Sequence, residues 1–200
     1  MKVSINGRTV AGVAEAGSTL EGLLHSLRHR GEIGSDRVVV GLEVDNRPCT
    51  ADDLKAMESV SLREANEVSI VTDDVRGYAR RILTDAGGML SVLQEATARV
   101  AEEFRGGAVQ KANADLFNLL SALQGFLACV CHIDNICDLA RAPLDAQRHL
   151  LAQVAECLDR IESSQERHDW LALAAQLELS LLPALAGFEP VLQEMKNAVT

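Results

Sequence analysis

A chain of 200 residues, 48% apolar and only 3% aromatic, can bury a core without staples and favours closely packed helices over an aromatic-rich sandwich. Its 29 acidic and 19 basic residues give a net charge of −10, which argues against a partner bound through a phosphate backbone and against an anionic membrane surface. An odd count of five cysteines argues against a closed disulfide framework.

The opening "MKVSINGRTV" lacks the apolar run of a signal peptide, and no stretch reaches about 20 consecutive apolar residues. The expectation is a cytoplasmic protein with reduced thiols. Val3 and Ile5, then Asn6-Gly7, then Val10 and Val13 predict a tight hairpin, because both turn residues need positive φ. "STLEGLLHSLRHRG" predicts a helix: Ser18 and Glu21 have capping-box spacing, Leu20, Leu23, Leu24 and Leu27 form a stripe, and Gly31 suits a left-handed end. "RVVVGLEVDNRP" alternates Val38, Val40, Leu42 and Val44 on one face, with Pro48 as its stop. Thr50 with Asp53 predicts a short helix through Leu54 and Met57, and "SVSL" and "EVSIVT" supply further strands.

In size and element order, residues 1–72 resemble a β-grasp (ubiquitin-like) domain. Sulfur carriers of that fold need a free C-terminal Gly-Gly, whereas here the chain ends "NAVT" and Gly87-Gly88 and Gly106-Gly107 are internal. The resemblance therefore implies a docking domain rather than a carrier.

The apolar period changes from strand-like to helical near residue 73. Val75, Tyr78, Ile82, Met89, Leu93, Val100 and Phe104 recur at helical spacing, with Gly87-Gly88 expected to weaken or bend that helix and "RGG" at 105–107 to end it. A second helix is expected from about Val109 to Arg141, with Pro143 interrupting, and a third through Leu150, Leu151, Val154, Leu158 and Ile161. Ser163 with Glu166 offers a capping box ahead of "DWLALAAQLELSLLPAL", and Pro183 and Pro190 are expected to divide the tail into short pieces. Short connections favour antiparallel neighbours. The fold class is thus α+β: a small β-grasp-like domain over 1–72, then an all-α antiparallel helical bundle of four or more helices over 73–200. The first segment has 8 basic and 11 acidic residues, the second 11 and 18, so neither conceals a strongly basic domain.

"ACVCHIDNIC" at 128–137 holds three of the five cysteines. Its C-x-C-H-x4-C spacing is none of the usual zinc patterns. On one helix Leu116, Leu119, Leu120, Leu123, Phe126, Leu127, Val130 and Ile133 share half of the wheel, with Cys137 among them and His132 about 140° from it. The metal candidates reduce to Cys129, Cys131 and His132, which need further ligands from other helices. Packing explains Cys129 and Cys137 more simply. Asp134 projects from the apolar half with Asp138 one turn later; the pair is either solvated near Arg141 or a polar contact for a partner at the bundle's end.

No phosphate loop, dinucleotide fingerprint, H-E-x-x-H or G-x-S-x-G occurs, and the Glu-x-x-His pair of di-iron bundles is missing too. His25 and His29 stand at i and i+4 beside Arg28 and Arg30 and read as a solvated basic patch. In the tail, Trp170, Leu173, Leu177 and Leu181 make one stripe, while Leu171, Leu179, Leu182 and Leu185 extend apolar surface beyond what one bundle face needs.

These features point to a non-catalytic cytosolic protein-interaction module, an adaptor or chaperone-like protein without cofactor. Its partner-binding candidates are Trp170, Leu171, Leu179, Leu182, Asp134 and Asp138, with the β-grasp-like domain as a second docking surface. The partner is another protein or a second copy of the chain, with no nucleic acid and no membrane. The alternative is a small-molecule or metal-binding helical bundle.

Overall fold

In a computed structural model, which describes residues 1–11, 19–49, 61–136 and 141–199, and only the backbone of 134–136 and 141–144, the chain is α+β. A mixed sheet of five strands among the described residues precedes a mostly helical region. The chain divides into two units, Met1–Tyr78 and Ala79–Thr200.

In the first unit, β1 (Lys2–Ile5) and β2 (Arg8–Val10) pair antiparallel. Asn6 and Gly7 join them at φ 50° and 79°, the left-handed pair that a two-residue hairpin turn requires. Helix α1 (Leu20–His29) buries Leu20, Leu23 and Leu27 and is followed by Gly31 at φ 73°. Its N-cap is Thr19, whose hydroxyl accepts from Gly22 N at 3.3 Å. Ser18, the expected cap, and Val13 of the expected hairpin lie outside the described residues. Thr19 takes the role because its backbone is extended, bridging to Ser61, while its carbonyl accepts from Leu23 N.

Strand β3 (Arg37–Val44) turns through Asp45 and Asn46, at φ 49° and 63°, into β4 (Arg47–Pro48). Pro48 therefore sits in an edge strand, where its missing N–H breaks no ladder, instead of stopping β3. Strand β5 (Glu67–Asp74) lies between β1, which it pairs in parallel, and β3, giving the order β2-β1-β5-β3-β4. The expected alternation of Val38 to Val44 is corrected here. The register shifts between Val39 and Gly41, so Val40 is extra in its strand and 38% exposed while Leu42 points into the core. Val3, Leu20, Leu23, Leu27, Ile33, Leu42, Val68 and Ile70 form that core. The helix expected after Thr50 and Asp53 lies outside the described residues.

Helix α2 (Val75–Arg105) runs unbroken through Gly87-Gly88, and Gly107 at φ 78° follows its end. Helix α3 (Val109–Ile136) and helix α4 (Arg141–Glu166) come next. Pro143 falls in the first turn of α4, where a missing N–H costs nothing, rather than in a break. Ser163 is likewise inside α4, so the expected capping box is corrected. The chain turns at His168, φ 55°, and Asp169 caps α5 (Trp170–Gln176), accepting from Ala172 N at 3.0 Å.

The prolines do not divide the tail. Helix α5 passes into a π-helical turn (Leu177–Leu181) and on into α6 (Leu182–Ala198). Leu182 N bonds Leu177 O across the wider turn, and Pro183, which cannot donate, enters just after it. Between α2 and α6 the contacts run in opposite chain order, which makes those two helices antiparallel. Arg80 reaches Val199 O and Gln94 reaches Glu189 between α2 and α6. Glu103 pairs with Lys111 between α2 and α3, and Leu150 meets Gly187 between α4 and α6. Inside, Phe126 meets Phe188 edge-to-face at 5.2 Å.

Val109–Ile133 and Trp170–Ala198 are long and apolar enough, by length and composition, to cross a membrane. Neither holds 20 consecutive apolar residues, as expected: polar and charged residues such as Lys111, Asp115, Glu178 and Glu189 interrupt them, yet their mean hydropathy stays high, which a search for an unbroken run does not register. Core helices of bundles pass the same test, and Leu119, Phe126, Leu181 and Phe188 are buried within this unit.

Candidate partner-binding groove

Helix α3 carries two adjacent apolar stripes. Leu116, Leu119, Leu123, Phe126, Val130 and Ile133 are buried in the core. One position round, Phe117, Leu120, Gln124, Leu127 and Cys131 follow at spacings of three and four, which aligns them along one side. Leu120 and Leu127 are half-buried, and Phe117 is 72% exposed. Helix α4 repeats the arrangement, burying Val154, Cys157 and Ile161 and leaving Leu151 and Leu158 half-buried.

Where the two outer stripes face each other, the helices leave a groove of about 540 Å³. Leu120, Leu123, Leu127, Leu158 and Ile161 make its apolar surface, and Gln124, Asp159, Glu162 and Gln165 make its polar fringe. Gln165 Nε2 donates to Asn113 Oδ1 at 3.1 Å, tying α4 to α3 near one end. Among the described residues, two carboxylates and no Lys, Arg or His line the groove. The nearby Arg160 pairs with Glu156, and Lys111 with Glu103 and Asp115. The groove therefore combines apolar walls with negative potential, and Phe117 extends its side of α3. From Phe117 to Leu127 the stripe covers about 15 Å, or three helical turns.

A second cavity, about 570 Å³, lies between α4 and the π-helical turn, lined by His149, Gln153, Arg160, Ser180 and Pro183 among others. Cys157 lines it too, buried to 3% exposure, and its thiol donates weakly to Gln176 O at 3.8 Å. Burial pushes that thiol up to about 11, against a smaller opposing pull from Arg160, so it stays protonated at neutral pH and is a poor nucleophile.

Of the metal candidates, Cys129 is half-buried while Cys131 and His132 are exposed. Among the described residues no three His, Cys, Asp or Glu side chains stand together as a metal site. Trp170 is half-buried against the core and stacks on Phe104. Leu171 and Leu179 are 68% and 76% exposed, Leu182 is half-buried, and Leu179 lines the second cavity. The side chain of Asp134, and Asp138 altogether, lie outside the described residues. Phe117, Leu120, Leu127 and Leu158 are not among the partner contacts expected from the sequence. The available signal was the width of α3's apolar arc, half the wheel where a narrower stripe fills a bundle core.

Comparison with protein-family models, curated proteins and solved structures finds no match.

Proposed function

We propose that the chain is a non-catalytic, cytoplasmic protein-interaction module whose α3–α4 groove receives one face of a basic amphipathic helix. The observation that carries this reading is the pairing of an apolar surface with a rim that, among the described residues, holds Asp159 and Glu162 and no cation. A helix presenting Leu-like residues at i, i+3 or i+4 and i+7 fits such a groove, and Lys or Arg at its margins meets the rim charges. The 72% exposure of Phe117 beside Leu120 adds apolar contact area at the same site. The N-terminal unit we read as β-grasp-like; the sheet order β2-β1-β5-β3-β4 with helix α1 packed on it supports this.

The test uses two synthetic amphipathic peptides with the same leucine pattern, one with lysine and one with glutamate on the polar face, titrated into the full chain. Saturable binding of the lysine peptide, lost in Leu120→Lys, supports the groove. The half-buried Leu120 leaves room for a lysine to reach solvent, so that variant retains its fold. Equal binding by wild type and Leu120→Lys, or preference for the glutamate peptide, overturns the proposal.

A further inference from the structure

Three arginines from three separate elements of the first unit surround one cavity of about 670 Å³. Arg8 comes from β2, Arg30 from the C-cap of α1 and Arg37 from the start of β3. Ile5 and Val10 supply apolar lining, Asn6, Thr9 and Thr72 polar lining, and Glu32 the single carboxylate among the described residues. In a chain whose net charge is −10, the arrangement runs against the average.

The hydrogen bonds inside the cavity are unbalanced in one direction. Thr72 is 6% exposed. Its hydroxyl oxygen accepts twice, from Asn6 Nδ2 at 3.0 Å and from Arg37 Nε at 3.1 Å. With both lone pairs taken, the hydroxyl retains its own proton to donate, and no acceptor for it occurs among the described residues. Arg37 spends two donors on Thr72, the second on its carbonyl at 3.1 Å, out of the five a guanidinium carries. Arg30 donates to Ala11 O at 2.9 Å. Arg8, fixed on the Ile5 side of the sheet by its pairing with Ile5, has no hydrogen bond or ion pair among the described residues.

Hydrogen bonds tie together the frame that holds these groups. Asn6, locked in the left-handed turn, also accepts from Thr72 N at 2.8 Å through Oδ1. Its amide thus clamps β5 to the hairpin and fixes the Thr72 hydroxyl that Arg37 reads. Hence donors and positive charge converge on a space that offers few acceptors among the described residues.

We propose that this cavity is an anion site for a small ligand bearing a phosphate or carboxylate group, whose oxygens accept from Arg8, Arg37 and the Thr72 hydroxyl. Charge-assisted bonds to guanidinium forks are the strongest available to such a group. The site is independent of the α3–α4 groove.

The test is an amide and guanidinium NMR titration of the full chain at low ionic strength, with sodium pyrophosphate in one arm and sodium citrate in the other, and sodium chloride as control. The expected result is saturable shifts at the Asn6, Gly7 and Thr72 amides and at Arg37 Nε–H in at least one arm, the tighter arm naming the anion class. Arg8→Gln, an exposed change that breaks no bond among the described residues, is expected to weaken binding about tenfold while leaving the rest of the spectrum in place. Shifts no larger than those from chloride in both arms, or unchanged affinity in both Arg8→Gln and Arg8→Glu, overturn the proposal.

Discussion

Phe104 lies flat against Trp170, with ring centroids 5.6 Å apart and planes 10° from parallel. The contact joins the last turn of α2 to the first turn of α5, and His168 meets the indole edge-on at 5.4 Å. Phe104 is 1% exposed, so truncation leaves a cavity as well as losing the stack. Phe104→Ala is expected to destabilise the helical unit by about 3–5 kcal/mol. Trp170 is the sole tryptophan, so its native emission should also shift to the red as water reaches the ring. Urea unfolding followed by fluorescence measures both.

Two helical glycines separate backbone cost from packing need. A Cβ at Gly88 meets nothing within 4 Å, so Gly88→Ala should stabilise α2 by about 1 kcal/mol through helix propensity alone. At Gly187 a Cβ would come to 2.6 Å from Leu150 Cδ2, so the added methyl must displace Leu150 where α4 and α6 approach. Gly187→Ala is expected to forfeit the gain. Thermal unfolding in which Gly187→Ala is at least as stable as Gly88→Ala would contradict the close approach.

What the sequence made legible was local. Asn6-Gly7 and Gly31 declare their left-handed backbones in their own residue types, and the change of period near residue 73 separates sheet from helices. The features that escaped depend on neighbours distant in the chain. Val40 is exposed because β3 slips against β5, a matter of pairing that alternation within β3 cannot reveal. Asp45-Asn46 is a turn signal of the same kind as Asn6-Gly7, and was readable. Pro183 reads as a break in any local window, yet a π-helical turn ahead of it lets the helix continue. The groove was hidden for a related reason. Leu119 and Leu120 are equivalent on the wheel's apolar half, and only the position of α4 decides that one is core and the other wall.

Cys157 ties stability to alkaline pH. Its thiol is held up to about 11 in the folded chain, mainly by burial, against an ordinary 9.0. Below pH 9 the thiol is neutral in both states and its contribution is fully present. Between about pH 9 and 11 the unfolded thiol ionises while the folded one does not, so the folded state holds more protons and stability falls as pH rises. The loss should be on the order of 2 kcal/mol and should vanish from the pH dependence of Cys157→Ala. Denaturant titrations at pH 8 and pH 10.5 check the sign; parallel slopes for both chains would count against it.

Core and wall on α3 should respond differently. Leu123 is 1% exposed and Phe117 is 72% exposed. Leu123→Ala is expected to cost about 3 kcal/mol of stability, whereas Phe117→Ser should change it by no more than about 0.5 kcal/mol. If Phe117 serves the groove, its loss instead weakens binding of the lysine peptide. A Phe117→Ser chain that is both destabilised and unchanged in binding would assign that ring to the fold.

The rim charges separate affinity from apolar fit. Asp159 and Glu162 are exposed carboxylates on successive positions of one α4 face, so their pull on a cationic helix is screened by salt. Asp159→Asn with Glu162→Gln keeps the side-chain shapes and removes both charges. The double variant should bind the lysine peptide several-fold more weakly at low salt, chiefly through slower association, and lose most of the salt dependence. Its residual affinity then measures the leucine walls alone. Should the double variant keep the wild-type salt slope, the attraction comes from the bundle's general negative charge and the groove contributes no electrostatic selectivity of its own.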